Sequence, residues 1–471
     1  MKNNCLHLNR ILLLLAIISG FAACSQQKES EKAGFWITSL DQSSLLNKTE
    51  VDINGTEKVE ASATITIDTS KSFQEIDGFG YTLTGGSALH INKMNDLARK
   101  SLLQELFGRG ENDLGVSYLR ISIGASDLDK APFSYDDLED GETDENLEKF
   151  NLAKDTLNLI PVLKEILKIT PDIKILGSPW SPPVWMKDNK STIGGSLKKE
   201  YYPVYANYFV KYIEALKNEG IIIDAITIQN EPLHPGNNPS LLMLADEQKE
   251  FVKDHLGPVL EKNGISTKII VYDHNADRPD YPISILDDPD AAKYIDGSAF
   301  HLYGGEIDAL TKVHDAHPDK NLYFTEQWVG FPGDFSKEMS WHTENLIIGA
   351  TRNWSRNVLE WNLAADENQE PYTDGGCDRC LGALTITGDT VIRNPAYYII
   401  GQASKFVRPG SLRIDSNEPE NLPNVAFKTP NGKTVLILQN KSVIKKIIKV
   451  KVGAKEVNLS LEAGSIGTLV L

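Results

Sequence analysis

Eight short segments rich in β-branched residues alternate with helix-like stretches, and this alternation limits the fold more than any other feature of the chain. The segments are "IDGFGYTL" (76–83), "VSYLRISI" (116–123), "IKILGS" (173–178), "IIIDAITIQNE" (221–231), "KIIVYD" (268–273), "IDGSAFH" (295–301), "LYFTE" (322–326) and "NVLEWNL" (357–363). Between them, patterns such as "MNDLARKSLLQELFG" and "YPVYANYFVKYIEALKNEG" carry apolar residues at helical spacing and stop at glycine. Eight consecutive strand–helix units predict a (β/α)8 TIM barrel, somewhat longer than the usual 250 or so residues. The alternative is a doubly wound open sheet. It lacks its mark here, because no Gly-rich phosphate loop follows the first strand.

Both flanks of this region are β-like. From about Phe406 the pattern is "SLRIDS", "NVAFKTPNGKTVLILQNKS", "KKIIKVKVG" and "VNLSLEAGSIGTLVL", with Asn431-Gly432 as a hairpin turn. "SATITIDTS" lies in the other flank, and neither flank makes a closed sandwich alone. Residues 35–75 and 406–471 are therefore expected to form one β-sandwich beside a barrel of residues 76–405.

The first residues read as an export signal. Lys2 and Arg10 precede "ILLLLAIISGFAAC", an apolar run too short for a spanning helix of about 20 residues. Ala22-Ala23-Cys24 resembles the lipobox of bacterial lipoproteins, with Phe21 where leucine is usual. That resemblance implies a signal over 1–23, lipidation at Cys24, a tether over 24–34 and an exported outer-membrane lipoprotein touching the membrane only through this anchor. The net charge of −17, more negative once Lys2 and Arg10 are lost, argues against nucleic acid and acidic polymers and for a neutral substrate. Of the other cysteines, Cys5 leaves with the signal, and Cys377 and Cys380 form a C-x-x-C in "GGCDRCLG". Zinc would need further ligands, and redox chemistry would place the motif at a helix start. A local disulfide is favoured for an exported chain, and two free thiols are the alternative.

Side chains at the C-terminal ends of barrel strands converge on one face. Glu231 in "ITIQNEPLHP" ends the fourth predicted strand, and Glu326 in "NLYFTEQWVG" ends the seventh. Two carboxyls about 5–5.5 Å apart are what a retaining glycosidase requires. Pro232 would end strand pairing just past Glu231.

The motifs now resemble those of glycoside hydrolase family 30, the glucosylceramidase-like family of clan A. "GFGYTLTGGSA" (78–88), "YLRISIG" (118–124), "GSPWSPPVWMK" (177–187), "QNEP", "FHLYGG" (300–305), "FTEQW", "WNLAADENQEP" (361–371) and "NPAYYIIGQASKFVRPGSLRI" (394–414) occur in family order. The resemblance implies Glu231 as acid/base, Glu326 as nucleophile, Asn230 on the substrate 2-hydroxyl and Arg120 beside Glu326. Trp180, Trp361 and Tyr303 would face the sugar, with His301 and Asn362 as polar contacts. Plain barrel-mouth packing, or a satisfied buried histidine at 301, is the structural alternative. No metal or cofactor is needed, because two carboxylates cover both proton transfer and the covalent step. Glucosylceramidase-like members usually carry aspartate after Thr84, where this chain has Gly85. The glycine is expected to open space beside the sugar's O4 and O6, which favours endo-cleavage of β-1,6-glucan. An exo-acting β-glucosidase or glucosylceramidase is the alternative, and a non-catalytic glycan-binding lipoprotein the reading from another class.

Overall fold

The computed structural model describes residues 31–55 and 60–471. The signal, the lipobox with Cys24 and most of the tether lie outside the described residues. Strands Gly78–Thr82, Tyr118–Ile123, Lys174–Pro179, Ala225–Thr227, Lys268–Ala276, Ile295–Gly305, Asn321–Glu326 and Ser355–Asn362 pair in parallel and close into an eight-stranded barrel. The predicted fold class stands, with one difference. The fourth strand was expected to run over 221–231, but its regular ladder covers Ala225–Thr227 only.

Two-residue periodicity stacks the barrel interior in layers. Tyr118, Leu176, Ala225, Ile270, Ala299, Tyr323 and Leu359, one from each of seven strands, form an apolar plug. Two residues further along the same strands come Arg120, Ser178, Thr227, His301, Thr325 and Trp361. The fifth strand breaks the count. Tyr272 and Asp273 have φ of 74° and 67°, and the pairing with the sixth strand shifts register there. This bulge adds one residue, so Asp273 rather than Tyr272 joins the polar layer.

The second unit contains nine strands, hydrogen-bonded in the order Asn47–Asp52, Lys32–Thr38, Ile466–Val470, Thr434–Gln439, Asn424–Lys428, Ser411–Ser416, Ala63–Ile76, Lys446–Val452 and Lys455–Leu461. Ala63–Ile76 spans the two layers, parallel to Lys446–Val452 at its start and antiparallel to Ser411–Ser416 beyond. Phe35, Ile65, Ile67, Leu436, Leu438, Val450 and Leu459 fill the space enclosed. The sandwich thus draws on both chain ends. Its first strand starts at Lys32, inside the stretch read as tether, because Ala33 and Phe35 bury in this core. Gly432, at φ 83°, makes the turn between Asn424–Lys428 and Thr434–Gln439. Gln402 ties the two units together by donating to Thr38 and accepting from Thr468. Among the described residues no helix is long and apolar enough to cross a membrane.

Candidate active site

Arg120 is the centre of the polar layer. It is fully buried, a position an arginine keeps only with its charge compensated and its donors engaged. Its Nη1 donates to Glu326 Oε2 at 2.5 Å, and Nη2 reaches Asn230 Oδ1 at 2.7 Å and Asp273 Oδ2 at 2.9 Å. Asp273 also accepts from Ser178 at 2.6 Å, Thr227 at 2.7 Å and Thr325 at 2.6 Å. Burial alone would raise the Asp273 carboxyl. The Arg120 charge and these donors hold it well below the usual range. A guanidinium fixed this way presents one stable face upward, stacked within 4.7 Å of the Trp180 ring and 5.8 Å of Trp361.

Glu231 does not end a ladder, contrary to the expectation that the strand itself presents it. It lies four residues past Thr227 at φ 45°, with its N–H donating to Asp273 O at 3.0 Å. Asn230 N–H donates to Pro179 O at 2.7 Å on the other side. The neighbouring strands therefore hold the segment after its regular pairing ends. Glu326 is the last residue of its strand, as read from sequence. Tyr303 donates its hydroxyl to Glu326 Oε1 at 3.0 Å. His301 lies beneath both acids, with Nδ1 3.1 Å from Glu231 Oε1 and 3.8 Å from Glu326 Oε1, and Nε2 3.2 Å from Asp273 Oδ1. One oxygen of each glutamate and the imidazole nitrogen all fall within 4.8 Å of one another.

These contacts set the charges. Burial pushes the Glu231 carboxyl up, but the His301 hydrogen bond and the nearby imidazoles outweigh it and hold the group low. Burial raises Glu326 despite His301 and Arg120, with repulsion from Glu231 adding to the rise. Burial opposes charge on His301, yet Glu326, Asp273 and Glu231 together lift it to about 9. In the free protein the mobile proton is therefore held on His301, against Glu231.

The mouth is a cavity of about 400 Å³. Trp180, Asn230, Glu231, Tyr303, Glu326 and Trp361 of the predicted set line it. Arg120 and His301 lie below, fully buried. Asn362 is buried beside the cavity and donates to Cys380 O at 3.5 Å. Cys377 and Cys380 are disulfide-bonded, S–S 2.03 Å, and form part of the wall with Gly375 and Gly376. A larger cavity of about 540 Å³ lies at the opposite barrel end. Among its charges Lys174 pairs with Asp224 and Arg356 with Asp77, as suits the stabilising face of this fold.

The space expected beside Gly85 is not open. A Cβ there would lie 1.8 Å from Asp129 Oδ1, so the glycine admits a neighbouring carboxylate instead. Sequence reading missed Asp127, Asp273 and His274. The last two lie in "VYDHN", inside the strand Lys268–Ala276 and at the end of its apolar run, and the first lies in the loop after "YLRISIG", so position at the end of an apolar run was the signal available for each. Asp127 lines the cavity, 5% exposed, and its Oδ1 has no protein partner. Burial and the Glu326 charge push this carboxyl up to about 7.

Two acids facing each other between tryptophans at the C-terminal mouth of a (β/α)8 barrel define a carboxylate-pair glycoside hydrolase. The models of the glycosyl hydrolase family 30 TIM-barrel domain and β-sandwich domain match residues 76–407 and 410–469, and the chain belongs to this family. It is 33% identical over 453 residues to the endo-1,6-β-D-glucanase of Neurospora crassa, covering 91% of this chain and 92% of that one. The lysosomal acid glucosylceramidase of Mus musculus is 29% identical over 408 residues, covering 80% and 77%. The solved structure of the endo-β1,6-glucanase BT3312 superimposes with TM-score 0.87 at 35% identity, covering 93% of this chain and 99% of that one.

Proposed function

We propose that this chain is a retaining endo-β-1,6-glucanase acting by double displacement. The observation that carries the mechanism is the approach of Glu231 and Glu326 within 4.8 Å, the close spacing of retaining enzymes. Glu326 attacks the anomeric carbon while the proton that His301 holds against Glu231 passes through Glu231 to the departing glycosidic oxygen, giving a glycosyl ester and a shortened chain. Glu231 then takes a proton from water, which attacks the same carbon and releases Glu326. Arg120 and Tyr303 fit the nucleophile role for Glu326, since both hydrogen bonds favour its anion. The proton held between His301 and Glu231 at 3.1 Å is placed to supply the acid. Asn230 and Asp127 would take sugar hydroxyls, and Trp180 and Trp361 the ring faces.

The linkage rests on the relatives named endo-1,6-β-glucanases. An exo-acting glucosidase is the second reading, favoured by the similarity to glucosylceramidases. Residues 76–405 would be the catalytic unit, and 35–75 with 406–471 its support. The Cys377–Cys380 disulfide supports export to an oxidising compartment, in keeping with a Cys24-anchored lipoprotein. Linear β-1,6-glucan and an aryl β-glucoside, each with the Glu326→Gln variant as control, test the reading. A ladder of short β-1,6 oligosaccharides, absent in the variant, is expected. Glucose as the first and sole product would establish the exo reading instead.

A further inference from the structure

We propose that the barrel mouth is also a chelating site for a borderline divalent cation, zinc or copper(II), whose binding excludes substrate. Three donor atoms, from Glu231, His301 and Glu326, lie within 4.8 Å of one another, and His274 stands beside Glu231 as a fourth. Glu231 Oε1 and His301 Nδ1 are 3.1 Å apart, and His301 Nδ1 and Glu326 Oε1 are 3.8 Å apart. His274 Nδ1 is 3.8 Å from Glu231 Oε1. Donors on a tetrahedral zinc, with bonds of about 2.0–2.2 Å, are roughly 3.3 Å from one another. The first pair already meets that spacing, and the His301–Glu326 and His274–Glu231 pairs, at 3.8 Å each, are wider by about 0.5 Å.

A second observation points to a ligand independently of the acidic pair. His274 is only 7% exposed, and its Nδ1 is buried with no hydrogen-bond partner while facing Glu231. With the ring proton on Nε2, this nitrogen offers its lone pair to a metal. His301 is prepared in another way. Its Nε2 lies 3.2 Å from Asp273 Oδ1, and Asp273 is itself fixed by Arg120, Ser178, Thr227 and Thr325. This is the carboxylate–histidine arrangement that turns the other ring nitrogen toward a metal, which binds there by displacing the proton held against Glu231. Arg120 holds Glu326 through Oε2 and leaves Oε1 as the donor, from which the Tyr303 hydroxyl would be displaced. Two imidazoles and two carboxylates select zinc or copper(II). Magnesium and calcium prefer six or more oxygens.

The exclusion of substrate rests on Glu231 and Glu326 being the catalytic pair; the binding of metal does not. Calorimetric titration of the enzyme with zinc chloride should give one saturable site, without response to magnesium or calcium. His274→Ala should weaken zinc binding about tenfold or more, and Glu231→Gln should do the same if the first variant fails to fold. For the unaltered enzyme, zinc should raise KM for an aryl β-glucoside without lowering kcat, and chelation should reverse the effect. No saturable zinc binding, or binding unchanged in both variants, overturns the proposal. Variant-sensitive zinc binding in a protein that cleaves no β-glucan or β-glucoside would sustain the metal site and sink the functional reading instead.

Discussion

At the level of single residues, the two acids should be separable by the leaving group. On the proposed mechanism Glu326→Gln removes the nucleophile, and turnover of every substrate is expected to vanish. Glu231→Gln removes proton assistance, so glucan hydrolysis should fall by roughly 10²–10⁴-fold while an activated aryl glucoside is largely spared. Azide should restore turnover to Glu231→Ala, measured as release of the aryl group with a glycosyl azide as product. Full glucan activity in either glutamine variant would remove both assignments. Glu231 and Glu326 could be found in the sequence because each is a charged residue near the end of an apolar β-run, and Arg120 because it stands in the family motif "YLRISIG". Asp273 follows such a run too, yet it was hidden. Simple alternation turns Tyr272 inward, and only the bulge at φ 74° and 67° reverses the two.

Among elements, the short strand pair Val329–Gly330 and Cys380–Leu381 links the segment after Glu326 to the disulfide loop. Cys377 and Cys380 pack with Leu128, Trp180, Trp328 and Trp361, so the bridge supports the aromatic wall of the mouth. The disulfide, at a sequence separation of 3, closes only a short loop in the unfolded chain, so replacing both cysteines by serine should lower the melting temperature by only roughly 2 °C. KM for β-1,6-glucan should rise several-fold with kcat nearly kept. An unchanged KM would remove the loop from substrate binding. The fourth barrel strand shows where pattern reading fails. "AITIQNE" has the composition of a strand throughout, but its regular ladder ends at Thr227, and single hydrogen bonds from Asn230 and Glu231 to the neighbouring strands carry it into a left-handed turn at Glu231.

For the whole molecule, stability should depend on acids buried away from the mouth. Burial pushes Asp155 up to about 7 against the Tyr135 hydroxyl, and Asp129 up to about 6 against its Ser126 hydrogen bonds. The unfolded chain gives up these protons near pH 4, whereas the folded one keeps them to pH 6–7. Their contribution is complete at low pH and lost as pH rises through that range. Urea midpoints should therefore decline between about pH 4 and pH 7, and Asp155→Asn should flatten the decline. A chain begun at residue 60 would lack Lys32–Thr38 and Asn47–Asp52, leaving Ile466–Val470 an open edge and the sandwich core without Phe35. Loss of cooperative unfolding, followed by circular dichroism, is the expected result.

Local chemistry sets much of this protein. Alternating apolar runs make eight strands, helix spacing and terminal glycines separate them, and strand ends carry acids because that face of a barrel is open to water. Those features depend only on near neighbours and could be read from the chain. Closure decided the rest. It put Asp129 into the space beside Gly85, brought His301 under both glutamates and set His274 facing Glu231 without a partner. Each of these pairs residues far apart in sequence, and the charge each acid carries depends on distances that exist only after the barrel has closed.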